Sequence, residues 1–189
     1  MDFWPKLLFI EQPLHRDVAL TAASDWSAWP ERPPIIIDES DAELGSLPAA
    51  LALGYAGTSH KNCKGIFKGV ANACLLAQRR AAGKPAMLSG EDLTNVGPVA
   101  LLQDLAVQAV LGVTSVERNG HHYFAGLAQF PPEIQQHMLT HHGDLYTRSA
   151  AGWPRLDVRD GRIALGSTLN APFGCAAGLD LSGLDHVNA

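Results

Sequence analysis

Residues 35–40 read IIIDES, and this stretch decides the fold. Three consecutive isoleucines leave no polar alternation, so a strand here is buried on both faces, as in parallel sheets covered by helices. Their β-branched side chains suit a pleated backbone, and the run stops at two acids. Outward from it lie similar runs: LLFIE at 7–11, AMLSG at 86–90, VTSVE at 113–117 and a weaker GTSHK at 57–61. The starts of these five runs fall 22 to 29 residues apart. Helical segments are predicted between them. Residues 42–53 are rich in Ala and Leu, 65–82 carry apolar side chains at helical spacing and end before Gly83, and 98–111 open on Pro98 and stop before Gly112.

Strand, helix, strand at this spacing means parallel strands joined by right-handed crossovers. An eight-unit barrel of about 250 residues uses about 31 per unit. The reading is therefore α/β: five parallel (β/α) units forming the later part of a TIM-type (β/α)8 barrel, with its first strands absent. A five-stranded doubly wound sheet is the structural alternative. Residues 1–151 form the barrel part, including a helix over 131–143. Residues 152–189, where irregular Gly and Pro signals gather, read as a C-terminal segment with a hairpin around 159–161 and then coil. An incomplete barrel leaves the first and last strands without edge partners, which predicts a homo-oligomer first, or else an open sheet covered by helices or a chain that accompanies the missing half.

Composition narrows the function. The 189 residues are 47% hydrophobic and 17% charged, enough apolar material for a buried core. A net charge of −5 and a pI near 5.8 argue against nucleic acid or an anionic membrane surface as partner. No apolar stretch is long enough to cross a bilayer, and the apolar run near the N-terminus is too short for a signal peptide. Cys63, Cys74 and Cys175 are odd in number and follow no framework spacing, so they read as reduced thiols of a cytoplasmic protein.

Polar residues stand where the apolar runs end: Glu11, Asp38 with Glu39, Lys61 and Lys64, Glu91 with Asp92, and Glu117. In parallel α/β folds the carboxyl ends of the strands gather on one rim, where chemistry is done. Carboxylates on neighbouring strand ends can share a hard cation such as Mg²⁺. A lysine on the next strand can move protons once its surroundings tune it. Acid, acid, lysine on three successive strands is the pattern that carries the chemistry.

At these residues the chain resembles the enolase superfamily, in particular its mandelate racemase and muconate-lactonizing branch. FIEQP at 9–13 is similar to the end of that family's fourth barrel strand, IIIDES at 35–40 to its fifth, and HKNCKG at 60–65 to the Lys-x-x-Lys-x-Gly form of its sixth. APFG at 171–174 resembles the family's Pro-Gly-Leu-Gly close. The resemblance implies a Mg²⁺-dependent enzyme that abstracts the proton α to a small-molecule carboxylate, as racemases, epimerases, dehydratases and cycloisomerases of the family do. It makes Glu11 and Asp38 metal ligands and Lys61 the acid/base lysine, with Lys64 in a supporting or substrate-contacting place. Glu91 and Glu117, at the last two strand ends, and His121 just beyond them are candidate substrate contacts. The family draws a further metal-binding Asp and a second lysine from strands preceding the run at 7–11, and closes its site with a capping domain. Neither is expected in this chain, so the resemblance implies a site incomplete in this chain alone, or a non-catalytic remnant that acts only in an assembly.

Other motifs read more plainly. His137, His141 and His142 follow helical spacing without the glutamate of a metalloprotease motif, so they are expected on a solvated helix face. No G-x-G-x-x-G follows a strand, which excludes the usual dinucleotide loop.

Overall fold

The computed structural model describes residues 3–21, 26, 28–92, 94–118, 120 and 123–184. The chain forms two compact units, one of residues 1–91 with 111–116, the other of 92–110 with 117–189. The boundary read from composition, between residues 151 and 152, falls inside the second unit.

The first unit carries the strand–helix alternation. Strand β1 (Ile10–Glu11) precedes the short helix α1 (Arg16–Ala19), β2 (Ile35–Ile37) precedes α2 (Ser46–Ala52), β3 (Gly57–His60) precedes α3 (Ile66–Ala81), and β4 (Met87–Glu91) follows. With β5 (Val116–Glu117) they make one five-stranded parallel sheet in the order β1-β2-β3-β4-β5. The register pairs Glu11 with Ile36, Ile36 with Gly57, and Ser59 with Ser89. A sheet in unbroken chain order fits units wound in one direction. A doubly wound sheet would reverse its strand order at a switch point.

The strands are shorter than the apolar runs suggested. Residues 7–9 precede β1, after a 3₁₀ turn at Trp4–Lys6 that holds Pro5, and residues 113–115 precede β5. Strand length here follows backbone pairing: Ile10 and Gln12 donate to the carbonyls of Pro34, just before β2, and Ile36, within it, at 2.8 Å each. All three isoleucines of β2 are buried. Ile35 and Ile37 pack with Ala50, Tyr55, Ile10, Leu20, Leu53 and Trp26. Burying each such side chain contributes about 1.5–3 kcal/mol.

The second unit holds α4 (Ala100–Val110), α5 (Pro132–His141), the antiparallel strands β6 (Tyr146–Arg148) and β7 (Pro154–Leu156), and the short helix α6 (Gly166–Asn170). Its core gathers Leu101, Leu102, Leu105, Leu127, Met138, Leu145, Tyr146 and Leu156. At 159–162 there is a tight turn with one bridge between Arg159 and Arg162, through Asp160 and Gly161 at positive φ. The extended hairpin is β6–β7, which sequence patterning passed over because Pro154 and two arginines break its apolar alternation. One histidine expectation is corrected. His137 and His141 stack at 4.3 Å, but His142 is fully buried, with Nδ1 3.0 Å from the Ser167 hydroxyl and Nε2 accepting the Ala176 N–H at 3.1 Å. It lies past the end of α5, where the chain turns inward, so helical periodicity no longer describes it.

No helix among the described residues is long and apolar enough to cross a membrane. The three cysteines are unpaired, with Cys63 and Cys74 exposed.

Candidate functional site

Period-two alternation sorts the strand residues onto two faces. On β3, Thr58 and His60 turn toward the helical layer. The Thr58 hydroxyl donates to Asp41 Oδ2 at 3.0 Å, and His60 lies against Gly69 of α3, where a Cβ would come within 2.5 Å of its Cε1. Gly57, Ser59 and, by continuation, Lys61 take the other face. Lys61 keeps an extended backbone (φ −135°, ψ 137°), so the alternation runs one residue past the strand. In register with them stand Ser89 and Glu91 of β4, beside Asp38 just after β2 and Glu11 of β1.

On that face the ends of β1, β2 and β4 bring three carboxylates together. Ligand oxygens of Glu11, Asp38 and Glu91 all lie within 4.8 Å of one another. Lys61 bridges two of them, Nζ to Asp38 Oδ2 at 2.8 Å and to Glu91 Oε2 at 2.9 Å. A 3₁₀ turn over Asn62–Lys64 then brings the second lysine back over the same carboxylate. Lys64 Nζ donates to Asp38 Oδ1 at 2.7 Å, to the Asp38 carbonyl at 2.7 Å and to the Ser59 carbonyl at 2.9 Å. This turn gives the Lys-x-x-Lys spacing its physical meaning: three residues of tight helix return the side chain to the face it left.

The electrostatics follow from this crowding. Burial pushes the Asp38 carboxyl up, but hydrogen bonds and charge from Lys61 and Lys64 outweigh it and hold the group below the ordinary aspartate value. Glu11 is pushed up, first by burial and then by the charges of Asp38 and Glu91, against a hydrogen bond from Ser59. For Lys61 burial acts downward, yet the two carboxylates it touches hold its pKa above the ordinary lysine range. With every group ionised, the three acids and two lysines leave one net negative charge.

A second polar layer supports the site on the helical side. Asp41, 2% exposed, receives Thr58 and Asn72 and forms an ion pair with Lys68 of α3 at 2.9 Å. Lys68 Nζ also donates to the Asp41 carbonyl. These bonds tie the segment after β2 to β3 and α3.

Of the residues singled out from sequence, Glu11, Asp38, Lys61, Lys64 and Glu91 stand together. Glu91, read as a substrate contact, is the third carboxylate of the acidic group. Its membership shows only when β3 and β4 are laid in register, because sequence spacing does not say which acid of Glu91–Asp92 faces inward. Glu117 is exposed on β5, and its carbonyl accepts the Asp92 N–H at 3.2 Å. His121 lies outside the described residues. Ser59 and Gln12 were not singled out. Ser59 signalled nothing in a weak strand, whereas Gln12 was visible only as part of the Glu-Gln-Pro motif.

The carboxylate donor set suits a hard divalent cation, which favours oxygen ligands and neighbouring acids. No protein-family model, curated protein or solved structure matches the chain.

Proposed function

We propose that the chain contributes the later strands of a TIM-type barrel whose strand-end site binds Mg²⁺ and moves the proton α to a carboxylate, in the manner of the mandelate racemase and muconate-lactonizing branch of the enolase superfamily. One observation carries this reading: Glu11, Asp38 and Glu91 converge from three strand ends, and Lys61 reaches two of them. Glu11, Asp38 and Glu91 would hold the cation. Bound there, it would offset carboxylate charge and stabilise an enolate formed from the substrate, a charge effect worth several kcal/mol.

The chain's own residues account for the rest. With Asp38 and Glu91 against it, Lys61 carries its proton, so in the resting site it is an acid. It becomes a base when those carboxylates are engaged elsewhere, their hold on its proton weakens and that proton passes to solvent, leaving the neutral amine. Its Nζ lone pair then takes the α-proton while the C–H electron pair passes into the enolate, and the return of a proton to that carbon completes an isomerisation. Lys64, bound to the Asp38 carboxylate and to two carbonyls, keeps the aspartate ionised and oriented.

A second reading draws on the same bonds. Lys61 and Lys64 already engage both Asp38 oxygens, so the group also works as a closed ion-pair network in a non-catalytic domain. Solvent deuterium exchange separates the two. The enzyme reading expects Mg²⁺-dependent exchange at the α-carbon of a carboxylic acid, measured by NMR over a panel of 2-hydroxy and 2-amino acids. It expects Lys61→Met to abolish exchange while Mn²⁺ still binds, and Asp38→Asn to weaken Mn²⁺ binding about tenfold or more. A chain that neither binds Mn²⁺ nor exchanges any α-proton refutes the enzyme reading and leaves the network as the function of these residues.

A further inference from the structure

Between the Glu11 and Asp38 carboxylates the chain makes one unusual move. Gln12 directly follows Glu11 and precedes Pro13, and its φ is 23°, in the left-handed region that side-chain-bearing residues avoid. That backbone turn carries its side chain across to the end of β2. There its Oε1 accepts two backbone amides at once, the Asp38 N–H at 2.8 Å and the Ser40 N–H at 2.9 Å. Its own N–H donates to the Ile36 carbonyl at 2.8 Å. Gln12 thus holds Ile36, two residues before Asp38, together with Asp38 itself and the turn after it. Both amides lie past the last β2 residue, so the sheet itself does not pair them. A buried amide left unpaired costs more than an ordinary hydrogen bond contributes, and strained conformations persist only where the surroundings repay them.

We propose that Gln12 is the positioning residue of this site, joining the β1 end to the β2 end so that the Glu11 and Asp38 carboxylates face one cation. The inference rests on the functional reading above for the cation, and on the hydrogen bonds alone for the positioning. A neutral amide suits the place. A carboxylate would accept the same two amides, but would add a fourth negative charge beside the three already there.

The test uses the whole chain with Gln12→Met, which keeps length and volume but offers only a weakly accepting thioether, Gln12→Asn, whose oxygen is one methylene short, and Gln12→Glu, which keeps the acceptor. Mn²⁺ affinity is read by electron paramagnetic resonance, amide hydrogen exchange at Asp38 and Ser40 by NMR, and folding by thermal unfolding. In Gln12→Met, Mn²⁺ affinity should fall about tenfold, the equivalent of one to three lost hydrogen bonds. The two amides should exchange faster there, and Gln12→Glu, which keeps the acceptor but adds charge, should restore their protection. If Gln12→Met does not fold, the same losses are expected in Gln12→Asn. Native-like affinity and protection in folded Gln12→Met overturns the proposal, and so does equally fast amide exchange in Gln12→Glu, which would mark a packing role. Absence of Mn²⁺ binding by the unaltered chain refutes the metal reading instead, and the amide exchange then decides the positioning by itself.

Discussion

Replacing Gly57 with alanine tests whether the site depends on the close approach of β3 and β4. A Cβ at this position would stand 1.7 Å from the Met87 carbonyl oxygen and 2.7 Å from its carbonyl carbon. Close carbon–oxygen contacts in sheets run at about 3.3–3.6 Å, so one strand must retreat by about 1.6–1.9 Å. No rotamer relieves the clash, because the obstacle is backbone on both sides. The Met87 N–H, which donates to the Ala56 carbonyl at 2.9 Å, would be pulled from its partner. Overpacking costs about 1–3 kcal/mol, and the lost ladder bond about 0.5–1.5 more, for a total of about 1.5–4.5 kcal/mol. Against a domain stability of about 5–15 kcal/mol that is a large fraction, and at about 2–4 °C per kcal/mol the midpoint should drop by about 3–18 °C. Thermal unfolding followed by circular dichroism measures it. Gly83→Ala is the control: its φ is 69° but nothing lies within 4 Å, so only backbone strain of about 1 kcal/mol is expected. The displaced strands should also separate Lys61 from Glu91 and weaken Mn²⁺ binding. A Gly57→Ala protein within about 0.5 kcal/mol of the native chain would refute the argument from strand approach.

Two further outcomes follow from buried groups. Lys68→Met strands the Asp41 carboxylate, 2% exposed, and should lower the unfolding free energy by about 3–5 kcal/mol in denaturant titration. An unchanged midpoint would show that Thr58 and Asn72 alone sustain that charge. Burial holds the imidazoles of His60 and His142 below the ordinary value of 6.5. The unfolded chain therefore takes up their protons first, so stability should decline as pH falls below about 6.5, until the folded-state values are passed. His142→Asn should remove its share of that slope, and an unfolding midpoint flat between pH 7 and pH 5 would refute the assignment.

How much of the molecule is legible in its sequence depends on the range of the forces involved. IIIDES specifies a doubly buried strand because three β-branched side chains in a row can satisfy themselves in little else, and the parallel α/β arrangement follows from its spacing to the neighbouring runs. The strand-end acids and lysines were visible for the same local reason: each interrupts an apolar run. Strand ends were not visible. Whether residues 7–9 or 113–115 join the sheet depends on which neighbour's amides and carbonyls they meet, and that is settled across chain separations of more than 20 residues. The same holds inside the site. Only the register of β3 against β4 turns Glu91 toward Lys61 as the third carboxylate. Only the left-handed turn at Gln12 brings its amide to Asp38, 26 residues away. His142 follows the rule as well, since a residue just past a helix is buried or solvated according to what the returning chain lays over it. Side-chain type and local period are written in the sequence; long-range pairing, and the charges it sets side by side, belong to the tertiary structure, because hydrogen bonds and Coulomb forces act across space between residues the chain order keeps apart.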